Sequence, residues 1–580
     1  MEESSDRSHR TTLHNHRNDE NYSMILRNYI RGTKHAFPCW RPFLVATAAM
    51  FLVCACSTDK GVGGTVVLSS SADADILFPP LTLTLQGRQV LDQVFDNLAD
   101  IGPSLNTVGD VGFTPRLADR WSWSADSLSI SFHINPRARW HDGVPVTAND
   151  VKFTFQLVKD TSLASPLASN LDNIDSVSVP DSLTAVVWFH QRAPDAFFKA
   201  ASPVAILPAH LLSKIAPADI HQSGFVRAPV GTGRFRFGAW ERGSRIMIQA
   251  DSTNYRGRPT ADRAIWLLAA DYQAASVRFL SGTADFLDVV KPELIPQVKA
   301  KGADIIVSSG SLDYGYAAFN LRNANNTGPH PIFGDRETRR ALVMAVDRSA
   351  IVGNVFDTLG LVAHGPATRI MPTSDTTIGV PYDPQQAART LDSLGWKRRA
   401  DGLRARGKTP LAFALMVSNS SPIRLKVSVL LQEQWRKAGA NVRIEQLELN
   451  TFGGRMEDRK FDALLNAWHI DPTPSSVREE WASSEIKKGG YNATSYRSPA
   501  FDAVIDSAVR EMNPLRSVQL YRRSYRILTD DAPAMWIYEL RNVHGVSKRI
   551  HPVGIRPDAW WAGLADWSVT EPLGANGTAK

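Results

Sequence analysis

Cysteine is almost missing from this chain of 580 residues, which contains only three. All three of them, Cys39, Cys54 and Cys56, lie close to the amino terminus. The long remainder of the sequence therefore excludes a disulfide framework, a thiolate nucleophile and a thiolate metal site. Its folded state must be stabilised by a hydrophobic core instead.

Other signals of chemistry are missing as well. The histidines form no HExxH or comparable metal-ligand spacing, and no Lys-Ser/Thr pair follows Gly231 and Gly233 as a phosphate-binding loop requires. The net charge of +7 comes without a basic stripe, so nucleic acid is not expected as a partner. His141 and Asp142 could suggest catalysis, but they stand in a predicted turn and are interpreted as structural. We expect no metal, no cofactor and no catalytic residue.

The amino-terminal residues have the pattern of an export signal. Basic residues between Arg27 and Arg41 precede the apolar run Phe43–Val53, which is too short to span a bilayer comfortably as a helix. The tripeptide Val-Cys-Ala directly before Cys56 resembles the processing box of bacterial lipoproteins. We therefore predict a lipoprotein signal peptide over residues 1–55, a lipid on Cys56 and a tether over residues 56–63.

Two alternatives stay open for this segment. The first is an ordinary signal peptide in which the cysteine occurs by chance. The second concerns its start, because Met24 would serve as well as Met1 for initiation.

The length of the chain exceeds what one hydrophobic core usually supports, which indicates two or three domains.

Strand-like and helix-like segments then follow one another along the chain. A predicted hairpin leads to a tight turn at His141–Gly143 and, after the expected N-cap Thr147, to a helix from Ala148 to Val158. Near the middle, Leu312–Asn323 has the aromatic residues of a strand, and Asp335–Phe356 has the apolar spacing of a helix. We interpret this second pair as the junction where one large domain passes the chain to another.

The order of these segments resembles the extracytoplasmic solute-binding proteins of family 5, the peptide- and nickel-binding type that serves ABC importers. Pro115–Val158 contains the hairpin, the His-Asp-Gly turn and the helix of that family, and Pro229–Pro259 matches its Gly-Thr-Gly hairpin. The likeness continues through the strand Tyr316–Asn320 and the helix Asp335–Val352. It covers nearly all of residues 64–570 in the same order.

This resemblance implies an α/β fold of the type II periplasmic-binding-protein class, in which two lobes are joined by a hinge that the chain crosses twice. We expect the hinge at Gly315–Asn320 and Trp536–Tyr538. The predicted segments are a first lobe of residues 64–315 with a subdomain at about 91–204, a second lobe of residues 316–534, a return to the first lobe over residues 535–570 and a tail of residues 571–580.

The same resemblance implies a function without chemistry. The protein would be a monomer that captures a peptide or similar small solute between its lobes and delivers it to an ABC permease. It would do so in the periplasm or at the outer face of the cell membrane, held there by its lipid. The alternatives are an exported carbohydrate-active hydrolase, which the 15 tryptophans would suit, and a binding protein used for sensing. The ligand stays open among oligopeptide, dipeptide, nickel chelate and sugar.

Trp468 and Asp471 have the W-x-x-D spacing of the oligopeptide-binding members. There the tryptophan lines a side-chain pocket and the aspartate pairs with the α-ammonium group of the peptide, an interaction that a low-dielectric cleft strengthens. The alternative is that Asp471, before Pro472, caps a turn. The loop Ala467–Ser476 is shorter than in many members, which leaves specificity open. Four further aromatic residues are predicted to line the cleft or, alternatively, to belong to the core: Tyr314, Tyr316, Trp536 and Tyr538.

The predicted lipid anchor can be tested with Cys56→Ser. Because the several acyl chains of a lipoprotein bind a bilayer firmly, the variant should leave the membrane fraction or stay unprocessed. Fractionation and mass spectrometry of the mature amino terminus measure both results. Unchanged partition into detergent, with no acyl mass on the mature amino terminus, would contradict the prediction.

Overall fold

The computed structural model describes residues 63–323 and 325–570. The predicted signal peptide, Cys56, most of the tether and the tail of residues 571–580 lie outside the described residues. Within the described ranges, no helix combines the length and the apolar character needed to cross a membrane.

The first sheet is mixed and has seven strands. Its strand Thr65–Ser70 pairs in parallel with Arg263–Leu268 on one side and with Phe286–Leu287 on the other. The helix Tyr272–Leu280 lies against this strand, where the Ser69 hydroxyl donates to the Ala275 carbonyl at 2.8 Å. The strand is buried along nearly its whole length, with three apolar residues, Val66, Val67 and Leu68, at its centre. The order across the sheet is Asp304–Val307, Val543–Val546, Phe286–Leu287, Thr65–Ser70, Arg263–Leu268, Arg245–Ala250 and Phe235–Glu241.

The second sheet has six strands and two different cores. Along the strand Asp313–Phe319, Tyr314 and Tyr316 point into the larger core, whereas Ala317 and Phe319 point into the smaller one, as the alternation of a strand requires. The order across the sheet is Gly360–Val362, Ala534–Leu540, Asp313–Phe319, Ala463–His469, Ala412–Ser418 and Asn441–Leu447.

In sequence, a separate antiparallel sheet of four strands comes between the strands Thr65–Ser70 and Phe235–Glu241 of the first sheet. It contains the predicted hairpin, which is followed in sequence by the predicted helix, observed as Ala148–Lys159. Thr147 is its N-cap, as expected, and the Asp150 carboxylate accepts from the Thr147 backbone N–H at 2.8 Å. The strands, in their order across the sheet, are Ala118–Trp123, Ser129–Ile134, Thr184–Phe189 and Ile174–Asp181.

The predicted helix Asp335–Phe356 is two helices, Arg336–Met344 and Arg348–Phe356. Asp347 separates them, because its side chain accepts from the Ala350 backbone N–H at 2.8 Å and starts a second helix. The prediction of one helix was wrong here, since the capping aspartate was taken as an ordinary helical residue.

The remaining elements surround these sheets. The other α-helices are Leu85–Val94, Ala196–Ala201, Ala209–Leu212, Ile295–Ala300, Pro384–Ser393, Pro422–Ala438, Leu449–Glu457, Ser476–Trp481, Pro499–Ala508 and Pro514–Asp531. The short strands are Ala99–Asp100 with Thr114–Pro115, Lys397–Arg398 with Arg404–Arg406 and Thr409–Pro410, and Ile550–His551 with Ser568–Val569.

The chain passes between the first and second sheets through two short segments, residues 308–312 and 541–542. They are hydrogen-bonded to each other, since the Ser308 N–H donates to the Asn542 carbonyl and the Asn542 N–H to the Ser308 hydroxyl. The predicted hinge segments Gly315–Asn320 and Trp536–Tyr538 lie instead almost wholly inside two neighbouring strands of the second sheet. Ladder hydrogen bonds hold those residues within the second sheet, and the crossings between the two sheets lie instead at residues 308–312 and 541–542.

A β-bulge interrupts the pairing of these two neighbouring strands. Tyr316 lies opposite Trp536, but Gly315 lies opposite Tyr538, so the strand Ala534–Leu540 contains Ile537 as an extra residue. The bulge reverses the alternation, and Trp536 therefore packs in the larger core while Tyr538 packs in the smaller one. Because Gly315 has no side chain, the Tyr538 ring can occupy the space next to its backbone.

Gly315→Ala should test this packing. A Cβ at this position would lie 2.1 Å from ring atoms of Tyr538, which is buried and contacts Phe356, so the ring has little room to move. We expect a loss of about 1–3 kcal/mol in the free energy of unfolding. The matched control is Gly353→Ala on the exposed side of the helix Arg348–Phe356, where a Cβ meets no atom within 4 Å; it should gain up to about 1 kcal/mol from helix propensity. Denaturant unfolding measures both, and equal midpoints would contradict the packing argument.

Candidate ligand-binding cleft

The two crossing segments bring strand ends of both sheets to one edge. The parallel strands of the first sheet end there at Ser70, Leu268 and Leu287, next to the beginning of the strand Val543–Val546. In open α/β sheets, ligands bind outside the carboxyl ends of such strands. In the second sheet, the pair of Asp313 and His469 stands at the end nearest to the crossing.

Charged and polar side chains gather at this edge. His469 Nδ1 lies 3.0 Å from Asp313 Oδ1, and this hydrogen bond raises the pKa of His469. Asp471 acts in the same direction, whereas Arg88, on the helix Leu85–Val94 beside the first sheet, opposes the shift. The side chains of His469, Asp313 and Arg88 are 61%, 49% and 65% exposed, so a ligand at this edge could reach them.

Asp471 is exposed at the start of the loop that follows the strand Ala463–His469. Among the described residues its carboxylate accepts no hydrogen bond from the turn that follows, so the geometry of a turn cap is missing. Its carboxylate therefore stays available to a ligand.

Trp468 is half-buried, three residues before Asp471, and lies opposite Tyr314 in the sheet. Its ring meets the ring of Tyr491 edge to face, with centroids 5.8 Å apart. Tyr491 is 60% exposed and is not among the site residues predicted from the sequence. Its signal, an aromatic residue after Gly489 and Gly490, was too weak to identify it without the contact to Trp468.

The other four aromatic candidates are buried in this structure. Tyr314, Tyr316, Trp536 and Tyr538 expose 0%, 6%, 3% and 4% of their surface. The first three form one cluster with Trp481, whose ring centroid lies 5.7 Å from that of Trp536. Tyr538 lies apart from them, on the opposite face of the sheet, because of the bulge. All four are therefore core residues here, and they would meet a ligand only after becoming exposed.

A buried carboxyl group completes this cluster. The Tyr314 hydroxyl lies 3.0 Å and 2.9 Å from the two oxygens of Glu480, and burial raises the pKa of Glu480 to about 8. No cation among the described residues forms an ion pair with it. Glu480 shares the buried face of the helix Ser476–Trp481 with Val477 and Trp481. That helical spacing was visible in the sequence, but a glutamate at a core position is not expected from composition alone.

The described residues contain no group of three or more histidine, cysteine, aspartate or glutamate side chains arranged to hold a metal ion. The edge therefore offers hydrogen bonds, charge and aromatic surface. These groups can bind and orient a solute that carries polar ends.

Glu480→Gln should change how stability depends on pH. In the folded protein Glu480 keeps a proton that the unfolded chain releases above the ordinary glutamate pKa. The contribution of Glu480 to the stability of the wild type therefore falls as pH rises from about 4.5 to about 8. Between pH 5 and pH 8 the free energy of unfolding of the variant should therefore rise by a few kcal/mol relative to that of the wild type.

Urea unfolding between pH 5 and pH 8 measures this difference in slope. The exposed Glu433 is the matched control, because its hydrogen bond with Lys437 lowers its pKa; Glu433→Gln should change the slope little and in the opposite sense. Identical pH dependence of the wild type and Glu480→Gln would show that Glu480 is not protonated in the folded protein.

Comparison with known proteins assigns the fold. The chain superposes on the oligopeptide-binding protein AppA of Bacillus subtilis, solved with a nonapeptide, with a TM-score of 0.69 and 23% identity over 88% of this chain and all of the other. NikZ of Campylobacter jejuni, solved with Ni(L-His), gives 0.69 and 23% over 87% and 99%. The predicted α/β fold with two lobes of the periplasmic-binding-protein type is confirmed.

Sequence comparison agrees with the structural likeness. The curated AppA sequence of Bacillus subtilis is 25% identical over 448 residues, which are 75% of this chain and 81% of AppA. Neither of the two alternatives, a carbohydrate-active hydrolase or a sensing receptor, gains support.

The model of the bacterial extracellular solute-binding proteins, family 5 (middle), matches residues 112–489. With most of its length matched in this way, the chain belongs to the bacterial extracellular solute-binding proteins of family 5.

Proposed function

We propose that this protein is the substrate-binding component of an ABC importer, which captures a peptide between its two lobes and delivers it to a membrane permease. One observation carries the proposal: exposed Asp313 and His469 at the end of the second sheet, and Asp471 on the loop that follows, stand at one edge, close to Arg88 from the other side. At this edge two segments of the described chain connect the sheets. A cleft of this kind closes by rotation about its connecting segments.

The lobes follow from the sheets. The first comprises residues 64–307 and 543–570, with the four-stranded sheet as the main part of its subdomain near residues 91–204, and the second comprises residues 313–540. These limits differ from the predicted ones because the strands Asp313–Phe319 and Ala534–Leu540 both belong to the second sheet.

A peptide is the ligand class that the relatives favour, since AppA of Bacillus subtilis was solved with a nonapeptide. In this protein Asp471 would pair with the α-ammonium group, and Trp468 with Tyr491 would pack against the first side chains. The protein performs no chemistry on the peptide and acts as a monomer. It works outside the cytoplasm, where a lipid on Cys56 keeps it near its permease.

Asp471→Ala tests the recognition step. The probes are a set of synthetic nonapeptides, each with a free or an acetylated amino terminus, and calorimetry gives the affinity. For free-amine peptides the variant should lose about 2–5 kcal/mol, because an ammonium group covered in the complex would lose its charged partner. This loss is about 30-fold to several-thousand-fold in affinity. Asp471→Asn, which keeps size but not charge, should lie between the wild type and Asp471→Ala.

Acetylated peptides are the control. The wild type should bind them weakly, and Asp471→Ala should bind them no worse than the wild type does. Free-amine affinities within about threefold of wild type in both variants would rule out this role of Asp471, since threefold is less than 1 kcal/mol. Failure of the wild type to bind any nonapeptide would count against a peptide ligand.

A further inference from the structure

The loop Pro472–Ser475, directly after Asp471, is attached to the opposite lobe. Thr473 Oγ1 and Ser475 Oγ both donate to Asp195 Oδ2, at 2.9 Å and 2.6 Å. Thr107 Oγ1 donates to the Pro472 carbonyl at 2.9 Å. Asp195 and Thr107 belong to the four-stranded-sheet region of the first lobe, so all three hydrogen bonds join one lobe to the other.

The side chain of Asp195 has an unusual orientation for an N-cap residue. It precedes the short helix Ala196–Ala201, yet its side chain accepts no hydrogen bond from that helix. An aspartate at this position ordinarily accepts from the first turn of its own helix. Here the carboxylate is directed across the lobe boundary instead.

These hydrogen bonds lie in a buried environment, where their loss would leave a carboxylate without water. Asp195, Thr473 and Ser475 are all buried, and the Lys199 ammonium group lies 3.7 Å from the carboxylate. A buried carboxylate is costly unless hydrogen bonds replace its water, and the two hydroxyls supply them. Pro472 and Pro474 restrict the backbone of the loop, so holding Thr473 and Ser475 also limits where Asp471 can lie.

We propose that Asp195 is a positioning residue for ligand recognition: it fastens the loop Pro472–Ser475 to the first lobe and so holds Asp471 in the orientation that meets the ligand. This inference rests on the proposed function. Asp195 itself does not touch the ligand and acts through Thr473, Ser475 and the two prolines. Its hydrogen bonds form only when the loop is docked, so they bias the loop toward that arrangement.

The first test needs no ligand. Hydrogen exchange followed by mass spectrometry reports on the amides of Ser476 and Arg478, which donate to the carbonyls of loop residues Thr473 and Ser475. It also reports on the Ile470 amide before the loop, which donates to the Leu312 carbonyl. Asp195→Ala and the double variant Thr473→Val/Ser475→Ala should both exchange faster there, while the rest of the protein stays at the wild-type rate. Asp195→Asn keeps an acceptor oxygen and should restore most of the protection.

Asp119→Ala is the matched control. Asp119 lies in the four-stranded sheet of the same lobe as Asp195 and hydrogen-bonds to His133 within that lobe, so its loss should leave exchange in the loop unchanged. Wild-type exchange in both loop variants, or faster exchange throughout the protein, would overturn the proposal. If Asp195→Ala does not fold, Asp195→Asn and the double variant decide the question.

The second test uses the synthetic nonapeptides. Asp195→Ala should weaken free-amine peptides about tenfold, the order expected for hydrogen bonds to a charged group. The same change should have less than about twofold effect in the Asp471→Ala background, because coupled residues are not additive. Equal loss in both backgrounds would mean a structural role alone. Failure of the wild type to bind any nonapeptide would overturn the proposed function and the recognition step, while hydrogen exchange separately decides whether Asp195 fastens the loop.

Discussion

The pairing of the strands Asp313–Phe319 and Ala534–Leu540 is the constraint on which the rest of the structure depends. One strand enters the second sheet and the other leaves it, and because they are neighbours, the two connections to the first sheet must also be neighbours. The hydrogen bonds between Ser308 and Asn542 keep these connections together.

The same pairing explains why the aromatic residues divide as they do. A strand that served as a flexible hinge would need exposed backbone, but the ladder on both sides of Asp313–Phe319 leaves none. Tyr314 and Trp536 are consequently committed to the core around Glu480, and the bulge at Ile537 sends Tyr538 to the other face. The exposed edge depends on fewer aromatic groups, chiefly Trp468 and Tyr491. The exposed surface there consequently carries more charged groups than aromatic ones.

Much of this could be predicted from sequence, and the errors have identifiable causes. The hairpin and the helix after Thr147 were predictable because turn and capping residues are local signals. The break at Asp347 was missed because a capping aspartate looks like any polar residue within a helical pattern. The faces of Trp536 and Tyr538 could not be assigned, since period two places them together and a bulge depends on the partner strand. The burial of Glu480 and the reach of Asp195 are tertiary contacts without a local signal.

The loop after the strand Ala463–His469 shows how such contacts can link the two lobes. Asp471 at its start is exposed, yet the three residues Pro472, Thr473 and Ser475 each hydrogen-bond to the first lobe. A recognition group on a loop is usually held by its own lobe, because lobes that separate cannot hold each other's loops. Here the carboxylate of Asp195 can satisfy the loop only when the lobes are together. Separation of the two lobes would break all three hydrogen bonds and return the hydroxyls of Thr473 and Ser475, together with the Asp195 carboxylate, to water.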